Sequence, residues 1–297
     1  MSHTVTRGIS LPKYNIMKTC VFCISKNEDN IQDWINHYFS IGFDHIFLVD
    51  NNEYDKRYKI DDERVTVIWY PDEFEMFENT KFNYWRQSML TKLGLIMAYD
   101  QDYDYIFICD DDEYLDLKGR YANVTDFLEK HSEYDSISIT WEVIGDNGYL
   151  YISDEPKNVP LREIYKTCDG RWHHECKSFY KFPKDVNVFK SDIDNCYILP
   201  YIMHNVTDRN NLRIQEQVME DNEVTVKHYK TFCLERFLIK KGAFKINHSF
   251  NPLEYYLLSN PISDKMLNAY VDLCKKYGIE IPEGDKKILE ENNIHID

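Results

Sequence analysis

The first half of the chain alternates short apolar runs with longer segments in which apolar residues recur at helical spacing. Each apolar run predicts a buried strand, and each periodic segment predicts an amphipathic helix. The predicted strands cover residues 18–24, 45–49, 64–70 and 105–109. The predicted helices run from residue 31 to Gly42 and from residue 82 to 99, the second with an inner stripe of Trp85, Met89, Leu93, Ile96 and Met97.

The pattern changes in the second half of the chain. Residues 136–141 alternate apolar and polar side chains, as in a strand that is buried on one face only. The region from there to about residue 205 lacks helical periodicity and favours a mixed or antiparallel extension of the sheet. Helices are predicted again over residues 232–241 and 263–277, which end at Gly242 and Gly278.

Alternating strands and helices favour an α/β fold with a mostly parallel sheet and helices on both faces. In such folds, ligands bind beyond the carboxyl ends of the strands. Polar clusters follow three of the predicted strands, at residues 27–28, 50–52 and 110–113. The sequence therefore predicts one edge of the sheet that is lined by carboxylate and amide side chains.

The composition narrows the classes of function. The 297 residues carry a formal net charge of −16, which argues against a nucleic-acid partner because such binding needs Lys and Arg on the phosphates. With 15% aromatic residues and only 10 Gly and 9 Pro, the chain is not of a disordered or low-complexity type. It shows neither a signal-peptide pattern nor the roughly 20 apolar residues that cross a bilayer, so we expect a cytoplasmic protein. The sequence leaves open its oligomeric state and a peripheral membrane contact.

Residues Asp110, Asp111, Asp112 and Glu113 place their carboxyl groups directly after an apolar strand. A divalent cation would relieve their mutual repulsion, and Mg²⁺ or Mn²⁺ prefers oxygen ligands. In an extended strand Asp110 and Asp112 point the same way and Asp111 the other way, which leaves a D-x-D pair for a metal-bound diphosphate. The alternative is a solvated acidic turn, because D-x-D occurs by chance in many acidic chains.

Several motifs follow one another in a characteristic order. They are Lys26-Asn27-Glu28, Asp33-Trp34-Ile35 with His37, Ile41-Gly42-Phe43-Asp44-His45-Ile46, Val49-Asp50-Asn51, Asp110 to Leu115, Trp141 to Gly148, Cys176-Lys177-Ser178, and His228-Tyr229-Lys230-Thr231 with Glu235, Phe237, Lys240 and Gly242. This series resembles the GT-A-fold glycosyltransferases of the family 2 and family 92 type. The resemblance implies a Rossmann-like GT-A domain at residues 18–245, an N-terminal extension at 1–17 and a C-terminal helical appendage at 246–297.

The resemblance also implies roles for individual residues. Asp110 and Asp112 would bind Mn²⁺ or Mg²⁺, with Asp112 as the more direct ligand, and His228 would complete the metal site or contact the diphosphate. The other residues assigned to the nucleotide-sugar donor are Asn27, Glu28, Asp50, Asn52 and Asp111.

The chain departs from the family pattern near the end of the domain. Phe232 and Cys233 stand where the family has Lys and Ser, and Arg236 stands in place of a second Glu. The candidates for neutralising the diphosphate are then Lys177, Lys230 and Arg86.

An inverting sugar transfer also needs a base that accepts the proton of the acceptor hydroxyl. Asp146 is the first candidate for this catalytic base and Glu142 the second. For each, a carboxylate in a turn or in solvent is an equally good interpretation.

The predicted function is that of a metal-dependent glycosyltransferase of the hexosyltransferase type, with a UDP-sugar as the expected donor and a glycan or saccharide as the acceptor. Polysaccharide biosynthesis is the expected setting. The alternatives are a nucleotide- or glycan-binding protein that has lost transferase activity and a metal-dependent phosphodiesterase.

Three other groups of residues could be taken for functional sites but have a structural interpretation as well. The spacing of Cys168, His173, His174 and Cys176 fits none of the common zinc patterns. Cys20 and Cys23 lie three residues apart on a strand and therefore face opposite sides. His204 and Asn205 follow an apolar run, where they could contact a substrate or be buried.

Overall fold

A computed structural model describes residues 17–71, 83–146, 148–154, 176–195, 216–219, 223–229, 233–242 and 251–296. The strands are Thr19–Ser25 (β1), His45–Asp50 (β2), Val65–Trp69 (β3), Tyr105–Ile108 (β4), Glu113–Asp116 (β5), Ser136–Val143 (β6), Cys176–Lys181 (β7), Glu216–Met219 (β8) and Thr225–His228 (β9). The helices are Ile31–Ser40 (α1), Asn83–Asp100 (α2), Val124–Lys130 (α3), Val186–Asn195 (α4), Leu234–Gly242 (α5), Pro252–Leu257 (α6), Asp264–Tyr277 (α7) and Glu283–Glu291 (α8).

The strands form one mixed sheet in the order β3-β2-β1-β4-β7-β6-β9-β5. Its first four strands are parallel, and β7 then runs antiparallel between β4 and β6. The first part of β6 pairs with β8, while its last residues pair with β9, which in turn lies antiparallel to β5. This arrangement confirms the predicted α/β fold with a parallel centre and a mixed extension, as in a Rossmann-like GT-A fold.

Helices cover both faces of the sheet, because alternate residues of β1 enter different clusters. Val21 and Cys23 pack with residues of α1 and α3, whereas Cys20 and Phe22 pack with residues of α2 and α4. Cys20 and Cys23 therefore face opposite sides, as predicted. A third apolar cluster joins α5 to α6, α7 and α8.

The predicted inner stripe of α2 is wrong at three positions, whereas Met97 packs against the core and the side chain of Trp85 lies outside the described residues. Met89, Leu93 and Ile96 are 52%, 39% and 41% exposed, while the buried residues of the helix include Leu90, Leu95 and Ala98. Gly94 accounts for the difference, because a Cβ atom at this position would lie only 2.2 Å from the ring of Phe22. The helix approaches the sheet through its glycine, so the larger side chains on the neighbouring face point outward.

Two further expectations need correction. Strand β6 is buried on both faces rather than one, because α3 and its neighbours cover one face and the hydroxyls of Ser136 and Ser138 are enclosed on the other. Helix α4 lies in a region where no helix was predicted.

Other predicted boundaries are confirmed. Helix α7 begins with Ser263 as its N-cap, whose hydroxyl accepts a hydrogen bond from the amide of Met266, and Gly278 ends it in the left-handed conformation at φ +64°. In the part of the chain that the structure describes, no helix has both the length and the apolar character needed to cross a bilayer.

Candidate functional site

The polar segments that follow β1, β2 and β4 meet at one edge of the sheet. The Ser25 hydroxyl donates to Asp111 Oδ2 over 2.7 Å, which links the ends of β1 and β4. The backbone amide of Asn27 donates to Asn52 Oδ1 over 2.7 Å, which links the ends of β1 and β2. The three segments that the sequence placed at this edge are therefore in contact.

Asp50 uses its carboxylate to hold the loop that follows β2. Its Oδ1 atom accepts hydrogen bonds from the backbone and side-chain nitrogens of Asn52, at 3.0 and 2.7 Å. Its Oδ2 atom accepts from the backbone amide of Tyr58 at 2.8 Å. The Tyr58 hydroxyl in turn accepts from the backbone amide of Glu28 at 2.9 Å. These bonds fix the loop after β2 against the segment after β1 at the edge of the sheet.

The acidic segment after β4 is a turn and not a continuation of the strand. The backbone amide of Glu113 donates to the carbonyl of Asp110, and the Glu113 carboxylate accepts from the amide of Asp110 at 2.8 Å. The predicted alternation of side chains is therefore wrong, because it assumed an extended backbone. Asp111 and Asp112 both contact Lys240 instead of pointing in opposite directions.

Lys177 on β7 neutralises one side of this turn. Its ammonium group lies 2.8 Å from Asp110 Oδ2 and 3.3 Å from Glu113 Oε2, and its side chain is 1% exposed. Burial disfavours the charge on Lys177, but the two carboxylates outweigh this effect and raise its pKa. Burial likewise opposes ionisation of Asp110, but the Lys177 ammonium lowers the pKa of that carboxyl below its ordinary value.

Asp112, Glu113 and His228 form a group with the geometry of a metal site. Ligand atoms from the three residues all lie within 4.8 Å of one another. The antiparallel pairing of β5 with β9 places Glu113 directly opposite His228, and His228 Nε2 lies 3.5 Å from Asp112 Oδ1. This group contains two of the three predicted metal ligands, with Glu113 where Asp110 was expected.

In this group, two atoms of the kinds that bind metals are buried without a hydrogen-bond partner among the described residues. They are Glu113 Oε1 and His228 Nδ1. Buried polar atoms are nearly always paired, so these two atoms can each accept a further partner. Carboxylate oxygen and imidazole nitrogen are ligands that Mn²⁺ accepts, so the residues present fit a divalent cation.

Helix α5 brings two cations to the same edge. Lys240 lies 3.0 Å from Asp112 Oδ2 and 3.2 Å from Asp111 Oδ1. Arg236, one turn earlier on the same face, lies 3.1 Å from Asp29 and 3.9 Å from Glu28. The sequence assigned neither residue to the site, although Lys240 belongs to the motif series and its spacing of four from Arg236 marks a common helix face.

The charged groups shift one another's pKa values. Burial, and then the charge of Asp111, raise the pKa of Glu28 to about 7. Burial is also the main reason why the pKa values of Asp111 and Glu113 are raised. At Asp112 burial acts in the same direction, but Lys240 and His228 outweigh it and lower the pKa well below the usual range.

The two candidate bases already have partners. The Asp146 carboxylate accepts hydrogen bonds from the hydroxyl of Tyr256 on α6 and from the backbone amide of Gly148, the latter at 2.8 Å. Burial raises the pKa of Asp146. Glu142 accepts from the ammonium group of Lys118 at 2.7 Å. Asp146 thus connects the segment that follows β6 with helix α6. Its role as a base stays a prediction.

Several residues singled out in the sequence lie outside the part of the chain that the structure describes. They are Lys230, the side chain of Arg86, Phe232, Cys168, His173, His174, His204 and Asn205. Cys176, the remaining member of the disfavoured zinc set, is a buried residue of β7.

No protein-family model matches the chain, and no curated protein matches it. Among solved structures, it is similar to A197 from STIV (12% identity, 72% of this chain and 86% of that one, TM-score 0.36). It is also similar to a glycosyltransferase involved in the glycosylation of the major capsid of PBCV-1 (9%, 71% and 93%, TM-score 0.34). A third similar structure is a cytidylyltransferase from Leptospira borgpetersenii (7%, 83% and 98%, TM-score 0.37). Likenesses this distant do not assign an activity.

Proposed function

We propose that the chain is a metal-dependent glycosyltransferase that uses a nucleoside-diphosphate sugar. The observation that carries this proposal is the group of Asp112, Glu113 and His228, whose ligand atoms lie within 4.8 Å of one another at the carboxyl edge of the sheet. The buried Glu113 Oε1 and His228 Nδ1 atoms have no hydrogen-bond partner among the described residues, which supports the binding of a cation by this group. The ordered motif series adds the resemblance to glycosyltransferases.

Each part of this edge has a proposed role. Asp112, Glu113 and His228 would hold Mn²⁺ or Mg²⁺, which when bound supplies Lewis-acid stabilisation of the diphosphate leaving group. The joined segments that carry Asn27, Glu28, Asp50 and Asn52 would contact the nucleoside, with UDP as the proposed nucleotide. A saccharide would be the acceptor, with inversion at the transferred sugar.

The proton of the acceptor hydroxyl needs a base within hydrogen-bond reach. Asp146 and Glu142 remain the proposed candidates. Asp146 would have to exchange its bond with the Tyr256 hydroxyl for the acceptor, whereas Glu142 would have to leave the Lys118 ammonium. Substitution of each residue, followed by measurement of the transfer rate at unchanged stability, separates the two.

A nucleotide titration tests the proposal. UDP with Mn²⁺ should stabilise the protein against heat, by about 2.7 kcal/mol at a hundredfold excess over Kd. UDP-sugars should release UDP in an EDTA-sensitive reaction. Asp112→Asn should abolish the Mn²⁺-dependent part of both effects, whereas Asp62→Asn, on a partly exposed carboxylate paired with Arg64, should change neither. Absence of any nucleotide effect with either UDP or GDP would refute the proposal.

The main alternative is a nucleotide- or glycan-binding protein without turnover. It is favoured by the ammonium groups of Lys177 and Lys240, which already lie on the carboxylates of the acidic turn. This alternative predicts nucleotide binding without release of UDP from any donor. A two-metal phosphodiesterase is less well supported, because the described residues contain one group with metal-ligand geometry.

A further inference from the structure

Lys240 places a positive charge on the carboxylate that the proposed metal would need. Its ammonium group lies 3.0 Å from Asp112 Oδ2, 3.2 Å from Asp111 Oδ1 and 4.0 Å from Glu28 Oε2. Asp112 also contacts His228 within the metal-ligand group, with Oδ1 3.5 Å from His228 Nε2. The Asp112 carboxylate therefore pairs with Lys240 and is also a candidate metal ligand.

The other nearby cations have different carboxylate partners. Lys177 contacts Asp110 and the Oε2 atom of Glu113, and it leaves Glu113 Oε1 without a partner. Arg236 contacts Asp29 and Glu28, which lie on the segment after β1. Lys240 therefore pairs with Asp112 of the metal-ligand group, whereas the buried Lys177 pairs with Glu113.

The Lys240 side chain is able to move away from Asp112. It is 30% exposed, in contrast to the 1% exposure of Lys177, and it stands near the end of α5. Lysine carries its charge on a flexible four-carbon stem with three rotatable donors. A divalent cation at Asp112 would repel the ammonium, which would then need another anionic partner.

We propose that the Lys240 ammonium competes with the divalent cation for Asp112 and that, when displaced, it binds a phosphate oxygen of the nucleotide-sugar donor. Competition lowers the affinity of the bare site for a cation, while the phosphate contact raises the affinity for donor once the cation is bound. This inference rests on the proposed function and adds to it a residue that couples the two binding events. A lysine that served only as a structural ion pair would not add to the affinity for the donor.

A titration of the nucleotide-free protein with Mn²⁺ tests the competition. The electron paramagnetic resonance signal of free Mn²⁺ measures how much of the metal is bound. Lys240→Met should bind Mn²⁺ about tenfold more tightly than the parent chain, because it removes one positive charge beside the site. Lys240→Arg retains the charge and should stay within about threefold. Lys276→Met, which removes a lysine paired with Glu235 outside the site, should leave the Mn²⁺ affinity unchanged.

Calorimetric titration of UDP at saturating Mn²⁺ tests the proposed contact between Lys240 and the phosphate. The affinity for UDP should fall about tenfold in Lys240→Met, opposite in direction to the change in Mn²⁺ affinity. Unchanged or weaker Mn²⁺ binding by folded Lys240→Met would overturn the competition. If Mn²⁺ binds more tightly but the parent chain binds no UDP, the competition stands, and both the phosphate contact and the proposed function are refuted.

Removal of Lys240 leaves carboxylates unpaired, which could destabilise the protein. The double variant Asp111→Asn/Lys240→Met removes one negative charge along with the positive one, so that folding is retained. Its Mn²⁺ affinity, compared with that of Asp111→Asn alone, should show the same increase. Equal affinities of these two folded variants would contradict the competition even if Lys240→Met by itself cannot be purified.

Discussion

His37 contacts the main chain beside the acidic turn through its ring. Its Nε2 atom lies 2.9 Å from the carbonyl oxygen of Leu115, and since a carbonyl only accepts, the ring nitrogen is the donor. Burial lowers the pKa of His37 to about 4, although the Leu115 carbonyl acts in the opposite direction. The motif that contains His37 therefore supports the turn rather than supplying a ligand.

The pKa of His37 predicts how the stability depends on pH. In the unfolded chain the ring takes up a proton near its ordinary pKa of about 6.5, whereas the folded protein resists protonation until about pH 4. The contribution of His37 is therefore fully present above the unfolded pKa and is lost as the pH falls from about 6.5 to 4, by roughly 3 kcal/mol. His37→Gln keeps a donor for Leu115 and should remove this loss.

Urea unfolding at several pH values across this range measures the effect. The difference in unfolding free energy between neutral and acidic pH should be smaller in His37→Gln than in the parent chain. His295→Gln, at an exposed position, is the matched control and should retain the full difference. Equal slopes for the parent chain and His37→Gln would contradict the prediction.

At the scale of elements, α1 positions the acidic turn from one helix face. The indole nitrogen of Trp34 donates to the carbonyls of Asp110 and Glu113, at 3.1 and 2.9 Å, and the Tyr38 hydroxyl donates to Glu113 at 3.1 Å. His37 and Tyr38 follow Trp34 by three and four residues, which places all three side chains on the same face. The helix thus donates hydrogen bonds to the carbonyls at the two ends of the acidic turn.

Trp34→Phe tests the contribution of α1. The substitution removes the donor shared by two carbonyls and leaves a cavity in the core, so the free energy of unfolding should fall by about 3 kcal/mol. The Mn²⁺ affinity should fall with it, because the turn carries Asp112 and Glu113. In Trp69→Phe, where the indole donates to the Asn52 carbonyl at the sheet edge in a partly exposed position, the loss should be closer to about 1 kcal/mol. Similar losses in both variants would contradict a special role for Trp34.

At the scale of the whole molecule, the C-terminal helices are tied to the sheet beside the site. Asp146 bonds to Tyr256 through its carboxylate and to Asn260 through its backbone amide, the latter at 2.7 Å. Gly145 permits this approach, because a Cβ atom there would lie 2.7 Å from the carbonyl oxygen of Ser259. The segment after β6 and the helices α6 to α8 therefore form one packed unit around Asp146.

A double-mutant cycle tests this junction. Tyr256→Phe and Asp146→Asn should each lower the free energy of unfolding by about 1 to 3 kcal/mol, and the double variant should be less destabilised than their sum by about 1 to 2 kcal/mol. Urea unfolding of the four proteins gives the coupling. Additive losses would mean that the carboxylate of Asp146 does not hold the C-terminal helices, which would leave it free for the role of a base.

Local patterns in the chain predicted much of the fold. Apolar runs located β1, β2, β3 and β4, because a buried strand needs a continuous apolar stretch, and Ser263 and Gly278 marked the ends of α7 because capping depends on neighbouring residues. The same local logic placed Asn27, Asp50 and Asp110 at strand ends that meet. It did not find the packing face of α2, which depends on the contact of Gly94 with Phe22 from a distant strand.

The sequence by itself determined the alternation of strands and helices from β1 to β4, the polar edge of the sheet and the acidic segment after β4, since each follows from residues that are neighbours in the chain. The tertiary structure alone decided which of those residues form a group. Pairing of β5 with β9 sets Glu113 opposite His228, Lys177 arrives from β7, and Lys240 arrives from α5. These residues are separated by long stretches of chain, so their contacts depend on how the sheet and helices pack, which no local pattern encodes.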